Sequence, residues 1–210
     1  MKNKIKIKTF YRSGYRPGFT LIEMLTSVAL IVIITATFVA NYRSNNKRTD
    51  LIMTAQKVVG DIHMAQNNTL GLIKYGLEVP AGGWGINFDS NNPGQYILFA
   101  DLNRPASNEP GQIWEAEDGF MSYDEGEGDV NQGAVITYLP QGIVIDSIII
   151  GSGPATSTLA NVTFLPPDPK TYIFNGTATS TELTVTLKEL RDGSIKTIRA
   201  NFLGLVEVTD

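Results

Sequence analysis

From Phe19 to Ala40 the chain is almost uninterrupted in apolar residues; Glu23 is the one charged residue in the run, and neither glycine nor proline breaks it. As a helix these 22 residues span about 33 Å at 1.5 Å per residue, which matches a bilayer hydrocarbon core of about 30 Å. Beyond it the apolar positions thin out without losing their period. Leu51, Ile52, Ala55, Val58, Val59, Ile62, Ala65, Leu72 and Ile73 recur largely in steps of three and four. Asp50, Gln56, Lys57, Asp61, Gln66 and Asn67 fall between them. The pattern predicts a transmembrane helix over residues 19–42 and an amphipathic continuation over 43–75, its stripe covering a sheet. Gly71 and Gly76 offer exits. The polar stretch Tyr42–Asp50 leaves a short linker as the alternative to an unbroken helix.

From Gly82 the period shortens to two. Trp84, Ile86 and Phe88 alternate, Asn91-Asn92-Pro93-Gly94 punctuates, and Gln95–Ala100 resumes. Further runs are Ala134–Leu139, Ile143–Ile150, Ala160–Leu165 and Thr171–Phe174. Glu182–Leu190 and Ser194–Asn201 flank Arg191-Asp192-Gly193, whose Asp-Gly step signals a tight hairpin, and Leu203–Val208 supplies a last strand. A helix followed by strands predicts an α+β fold, the long N-terminal helix packed on antiparallel sheet, with residues 76–210 as a β-rich globular domain.

Charge adds orientation. Residues 1–18 carry Lys2, Lys4, Lys6, Lys8, Arg12 and Arg16 and no acid; the formal net charge of −4 therefore places residues 19–210 at −10. The heavier basic flank precedes the apolar run, with Arg43, Lys47 and Arg48 after it, so the rest of the chain is expected outside the cytoplasm. An acidic exported part argues against a phosphate-binding surface. The apolar run is longer than the 7–15 residues usual for a cleaved secretory signal, and the small residue that would mark a cut, Gly18, lies before it. A plain anchor explains everything but Glu23, since an acid at mid-membrane costs about 2.5–3.5 kcal/mol on insertion scales and less near an end. Cutting after Gly18 would free an amine on Phe19, four residues before Glu23. That amine, or a neighbouring subunit's, could pair with the carboxylate and set axial register.

The run Gly18-Phe19-Thr20-Leu21-Ile22-Glu23-Met24-Leu25 resembles the class III signal of type IV pilins and type II secretion pseudopilins. The resemblance implies a basic leader over residues 1–18, removed by prepilin peptidase between Gly18 and Phe19, with N-methylation of Phe19. It also implies that Glu23 guides packing into a filament. Many type IV pilins carry a helix-bending proline where this chain has Ala40, a departure that leans toward pseudopilins or minor pilins. The strand count and the ending are similar to the GspH/FimT-like group of minor pseudopilins, a likeness of pattern without a diagnostic residue set.

The remaining candidate chemistry is sparse. There is no cysteine, hence no disulfide or thiol nucleophile. Asp101 and Asn103 begin like a calcium loop, with Asn108 and Glu109 as further oxygen donors, but Pro105 and Ala106 break the pattern, and a solvated turn is the default. Glu115, Glu117, Asp118, Asp124, Glu125, Glu127 and Asp129 form an acidic, glycine-containing segment that reads as solvated. His63 has no helical partner for a metal; Trp84 and Trp114 read as core or rim aromatics. Gly151-Ser152-Gly153-Pro154 is a turn with no helix signal after it. Lys188, Arg191, Lys196 and Arg199 are the notable basic group of the exported part, too few to predict nucleic-acid binding. With no phosphate loop, nucleophile elbow or catalytic constellation, an enzyme is not expected and no cofactor is implied. The expectation is a structural subunit whose partners are other pilin-like subunits, prepilin peptidase and the membrane. The alternative is a tip-located minor pilin acting as an adhesive or DNA-binding module.

Overall fold

The computed structural model describes residues 18–103, 107–109, 112–114, 120–123, 134–166 and 170–209. One helix, α1 (Leu21–Leu70), precedes twelve strands: β1 (Gly83–Asp89), β2 (Gln95–Asp101), β3 (Ser107–Glu109), β4 (Gln112–Trp114), β5 (Val135–Tyr138) and β6 (Ile143–Ile150) come first. Then follow β7 (Leu159–Leu165), β8 (Lys170–Phe174), β9 (Thr179–Ser180), β10 (Glu182–Glu189), β11 (Ile195–Asn201) and β12 (Val206–Thr209). The class is α+β, with an apolar N-terminal helix and antiparallel sheets. The chain divides into two compact units, Met1–Arg43 and Ser44–Asp210.

In the first unit the helix starts on Thr20. Its hydroxyl accepts from the Glu23 N–H at 3.3 Å, the side-chain half of an N-cap. Leu21–Val39 has a mean hydropathy of 2.2, and none of it is buried against the rest of the chain. Its four hydroxyls are nonetheless satisfied: Thr26 and Ser27 donate to Glu23 O, Thr35 to Ile31 O and Thr37 to Ile34 O. No side-chain donor in that stretch is left asking for water.

In the second unit the apolar stripe of α1 does the packing. Leu51, Ala55, Val58, Ile62 and Ala65 are buried in one cluster with residues of two sheets. Fully burying an aliphatic side chain contributes about 1.5–3 kcal/mol, so this seam is a main source of the unit's stability. Ile52 is largely exposed, and Leu72 and Ile73 lie beyond the helix end and are exposed too. The first sheet runs β5-β2-β1-β7-β8-β9 and the second β12-β11-β10-β6; β3 and β4 form a separate short hairpin. β1 sits between β2 and β7, with Trp84 opposite Ala100 on one side and Phe164 on the other.

Alternation explains the inner faces: Trp84, Ile86 and Phe88 of β1, and Leu183, Val185 and Leu187 of β10, all face the core. It does not explain β7, where Ala160 through Phe164 are all buried. Residues 120–123 lie against the outer face of the first sheet. Met121 N–H donates to Asp101 Oδ2 at 2.7 Å and Tyr123 N–H to Asn161 Oδ1 at 3.3 Å. The Tyr123 ring lies 5.9 Å from that of Phe99. A sheet covered on both faces buries its central strands on both parities.

Two tight places need glycine. Gly83 has φ +87°, and a Cβ there would fall 1.8 Å from Phe164 O. At the β10–β11 hairpin the expected tight Asp-Gly turn is instead a four-residue loop, Leu190–Gly193, closed by Glu189 N–H to Ser194 O at 2.8 Å. The buried Glu189 carboxylate supplies the reason. Its Oε2 accepts from Arg191 N–H and Asp192 N–H, curling the chain early and leaving Gly193 to take φ +72°.

Candidate functional site

Gly18, Phe19 and Thr20 lie before the helix, and Phe19 is exposed. Glu23 sits in the first turn of α1. The N-terminal end of a helix carries partial positive charge, so a carboxylate there gains about 0.3–1 kcal/mol. Thr20-Leu21-Ile22-Glu23 also has the spacing of a capping box. Glu23 thus has a local reason to be where it is, one that reading it as a charge in a membrane overlooks. Phe19 lies outside the helix, so an amine on it is not set at helical i, i+4 spacing from Glu23 in this chain.

Of the candidate calcium donors, Asp101 is already engaged by the fold. Asp101 ends β2 fully buried, its two oxygens accepting from the backbone N–H groups of Asn103, at 2.9 Å, and Met121. It ties Met121 to the end of β2, and Gly82 is required beside it, since a Cβ there would lie 2.2 Å from the carboxylate. Asn108 and Glu109 lie in β3, in strand where a turn was expected, and their side chains lie outside the described residues. Among the described residues no group of three His, Asp or Glu could hold a metal ion.

Elsewhere, His63 is exposed, with Nδ1 3.4 Å from Gln66 Oε1. Trp84 is in the core, its indole N–H donating to Ile73 O and its ring meeting Tyr75 edge-on. Trp114 lies in β4, its side chain outside the described residues, as is all of the acidic segment. The basic group is dispersed: Lys188 pairs with Asp146 at 3.1 Å, while Lys196 and Arg199, three apart in β11, project to opposite faces. Asp192, in the adjacent loop, is held below its ordinary pKa by the Ser194 backbone N–H.

Three polar features carry no motif. Tyr96 donates to Asp61 Oδ2, and burial together with that carboxylate raises the phenol's pKa well above its ordinary value. Thr69, at the helix end, donates to Phe164 O at 2.9 Å and accepts from Trp84 N–H at 3.1 Å, pinning α1 to β1 and β7 at once. Asn87 Nδ2 donates to Asn161 Oδ1 at 2.8 Å across the β1–β7 pair. Asn87 and Asn161 occupy the polar parity of their strands, which normally faces solvent. The one available signal was that so small a polar residue interrupts two strongly apolar runs. Two cavities adjoin these features. A groove of about 300 Å³ lies between Met53 and Lys57 of α1 and Tyr138, Leu139 and Pro140 after β5. A more polar cleft of about 190 Å³ lies on the outer face of the first sheet, beside Asn87.

Comparison of the chain with protein-family models, with curated proteins and with solved structures finds no match to any of them.

Proposed function

We propose that this chain is a pilin-like structural subunit of a type IV pilus or a type II secretion filament, of the minor pilin or pseudopilin kind. The observation that carries the reading is the junction Gly18-Phe19 set directly before a helix whose first turn holds Glu23, the single charge of an otherwise uncharged apolar span. The leader, residues 1–18, would be removed by prepilin peptidase and Phe19 N-methylated. Leu21–Val39 would cross the inner membrane once, with the C-terminal unit outside the cytoplasm and, after assembly, in a surface filament.

Two physical points support this. Side chains from Leu21 to Val39 are exposed in the single chain, so they need lipid or neighbouring helices to cover them, and their hydroxyls are already bonded within the helix. Glu23 gains from the helix terminus but is still acidic, so in an apolar bundle it would favour an arrangement that brings a positive group to it. With Phe19 outside the helix, the amine of a neighbouring subunit is the better-placed partner. Mass spectrometry of the N-terminus from native membranes tests the reading. N-methylated Phe19 is expected; an intact Met1 in cells with active prepilin peptidase overturns it.

A further inference from the structure

We propose that the cleft on the outer face of the first sheet binds a single hexose unit of a glycan. It is lined by Asn87, Asp89, Asn92, Gln95, Tyr123 and Leu159, among others, and encloses about 190 Å³. That is below the roughly 300 Å³ of the smallest drug-sized pockets, and suits one sugar ring. The inference stands on the second unit alone and does not depend on the reading of the N-terminal segment.

The polar groups here are built in. Asn87 is 3% exposed and gives its Nδ2 to Asn161, leaving its Oδ1 with no partner among the described residues. Asn161 is fully buried and holds Asn87 from the adjacent strand, its own Nδ2 unpartnered. Burying amides with bonds unmade costs about 1–3 kcal/mol per group, and a sheet that merely needed a cover would be served better by apolar residues. Asp89 is fixed in place by three donors: Asn91 N–H at 2.8 Å, Asn91 Nδ2 at 3.0 Å and Asn92 Nδ2 at 2.8 Å. These N–H groups take three of the carboxylate's roughly four acceptor sites and leave one, on Oδ2, for a hydroxyl. Gln95 is half-buried, and its amide has no partner among the described residues. Amide and carboxylate side by side can meet neighbouring sugar hydroxyls as donor and acceptor together. The Tyr123 ring, steadied on Phe99, offers an apolar plate for the C–H face of the ring.

The test is a glycan array probed with the full chain in detergent micelles, followed by saturation-transfer NMR titration of free hexoses. The unaltered chain is expected to bind at least one hexose-containing glycan. Gln95→Ala and Tyr123→Ala are each expected to weaken binding about tenfold or more, and chelator to leave it unchanged. The Gln95 side chain makes no hydrogen bond among the described residues, so Gln95→Ala with an unchanged melting curve keeps the comparison clean. Absence of binding to any glycan, binding that survives both substitutions, or binding that requires calcium would each overturn the proposal.

Discussion

Tyr96 and Asp61 join β2 to α1 through one short hydrogen bond, the phenol donating to Oδ2 at 2.5 Å. Five apolar side chains on the helix fix how deeply it sits, but apolar contact alone tolerates sliding. A directional bond from a buried tyrosine to a half-buried carboxylate sets the helix along its own axis.

Removing that bond should be measurable. Hydrogen bonds to charged groups contribute about 1.5–3 kcal/mol, and Tyr96→Phe is expected to lower unfolding free energy by that order. The pH dependence has a definite sign. Tyr96 is raised from 10.0 in the folded protein, so above that pH the unfolded chain releases a proton the folded one keeps. Its contribution is therefore complete below pH 10 and lost as pH rises further, and Tyr96→Phe should remove this part of the alkaline loss. Urea titrations at neutral and alkaline pH, followed through Trp84, would check both.

Two glycines should respond oppositely to alanine. Gly83→Ala drives a Cβ into Phe164 O at a positive φ, and its effect is expected in the most severe range for single substitutions, about 4 kcal/mol or more. Gly60 lies in the helix with nothing within 4 Å of a new Cβ, so Gly60→Ala should stabilise by about 0.5–1 kcal/mol. Thermal melting of the two variants side by side gives the comparison.

Glu23 can be dissected because the helix end and the proposed filament register need different atoms of it. Glutamine serves at the third position of a capping box as glutamate does. If the charge sets filament register, Glu23→Gln and Glu23→Ala should both abolish incorporation in a complementation assay. Incorporation preserved by Gln and lost with Ala would assign Glu23 to the helix end alone.

Asp101→Ala should release Met121 and Asn103 from the end of β2. The expected effect is a stability loss of about 1.5–3 kcal/mol, read by thermal melting. Since both oxygens of Asp101 already meet backbone N–H groups, chelator should not shift the melting temperature. A calcium-dependent shift would direct attention to Asn108 and Glu109.

The helix stripe Leu51, Ala55, Val58, Ile62 and Ala65 and the alternation of Trp84, Ile86 and Phe88 were legible because burial on one face writes a period into the residues. Asn87, Asp101 and Asn161 were not, because alternation assigns their parity to solvent, and residues 120–123, which meet two of them through backbone N–H groups, show no apolar period of their own. β3, β4 and β9 are two or three residues long, too short to show a period. Sheet order lay beyond reach for another reason: β1 takes its second partner from residues 159–165, and nothing local to either strand names the other. The polar cleft inherits that difficulty, since Asn87 and Asn161 meet only through this pairing.

That same pairing dictates a timetable. Trp84 waits for Phe164, β6 waits for β10, and β11 waits for β12, which ends at Thr209. Contacts this distant in the chain close slowly, so the unit consolidates only when its final residues arrive. Until then the helix stripe stands wet and β1 lacks a neighbour on one side. In that interval a strand from another copy could take the vacancy.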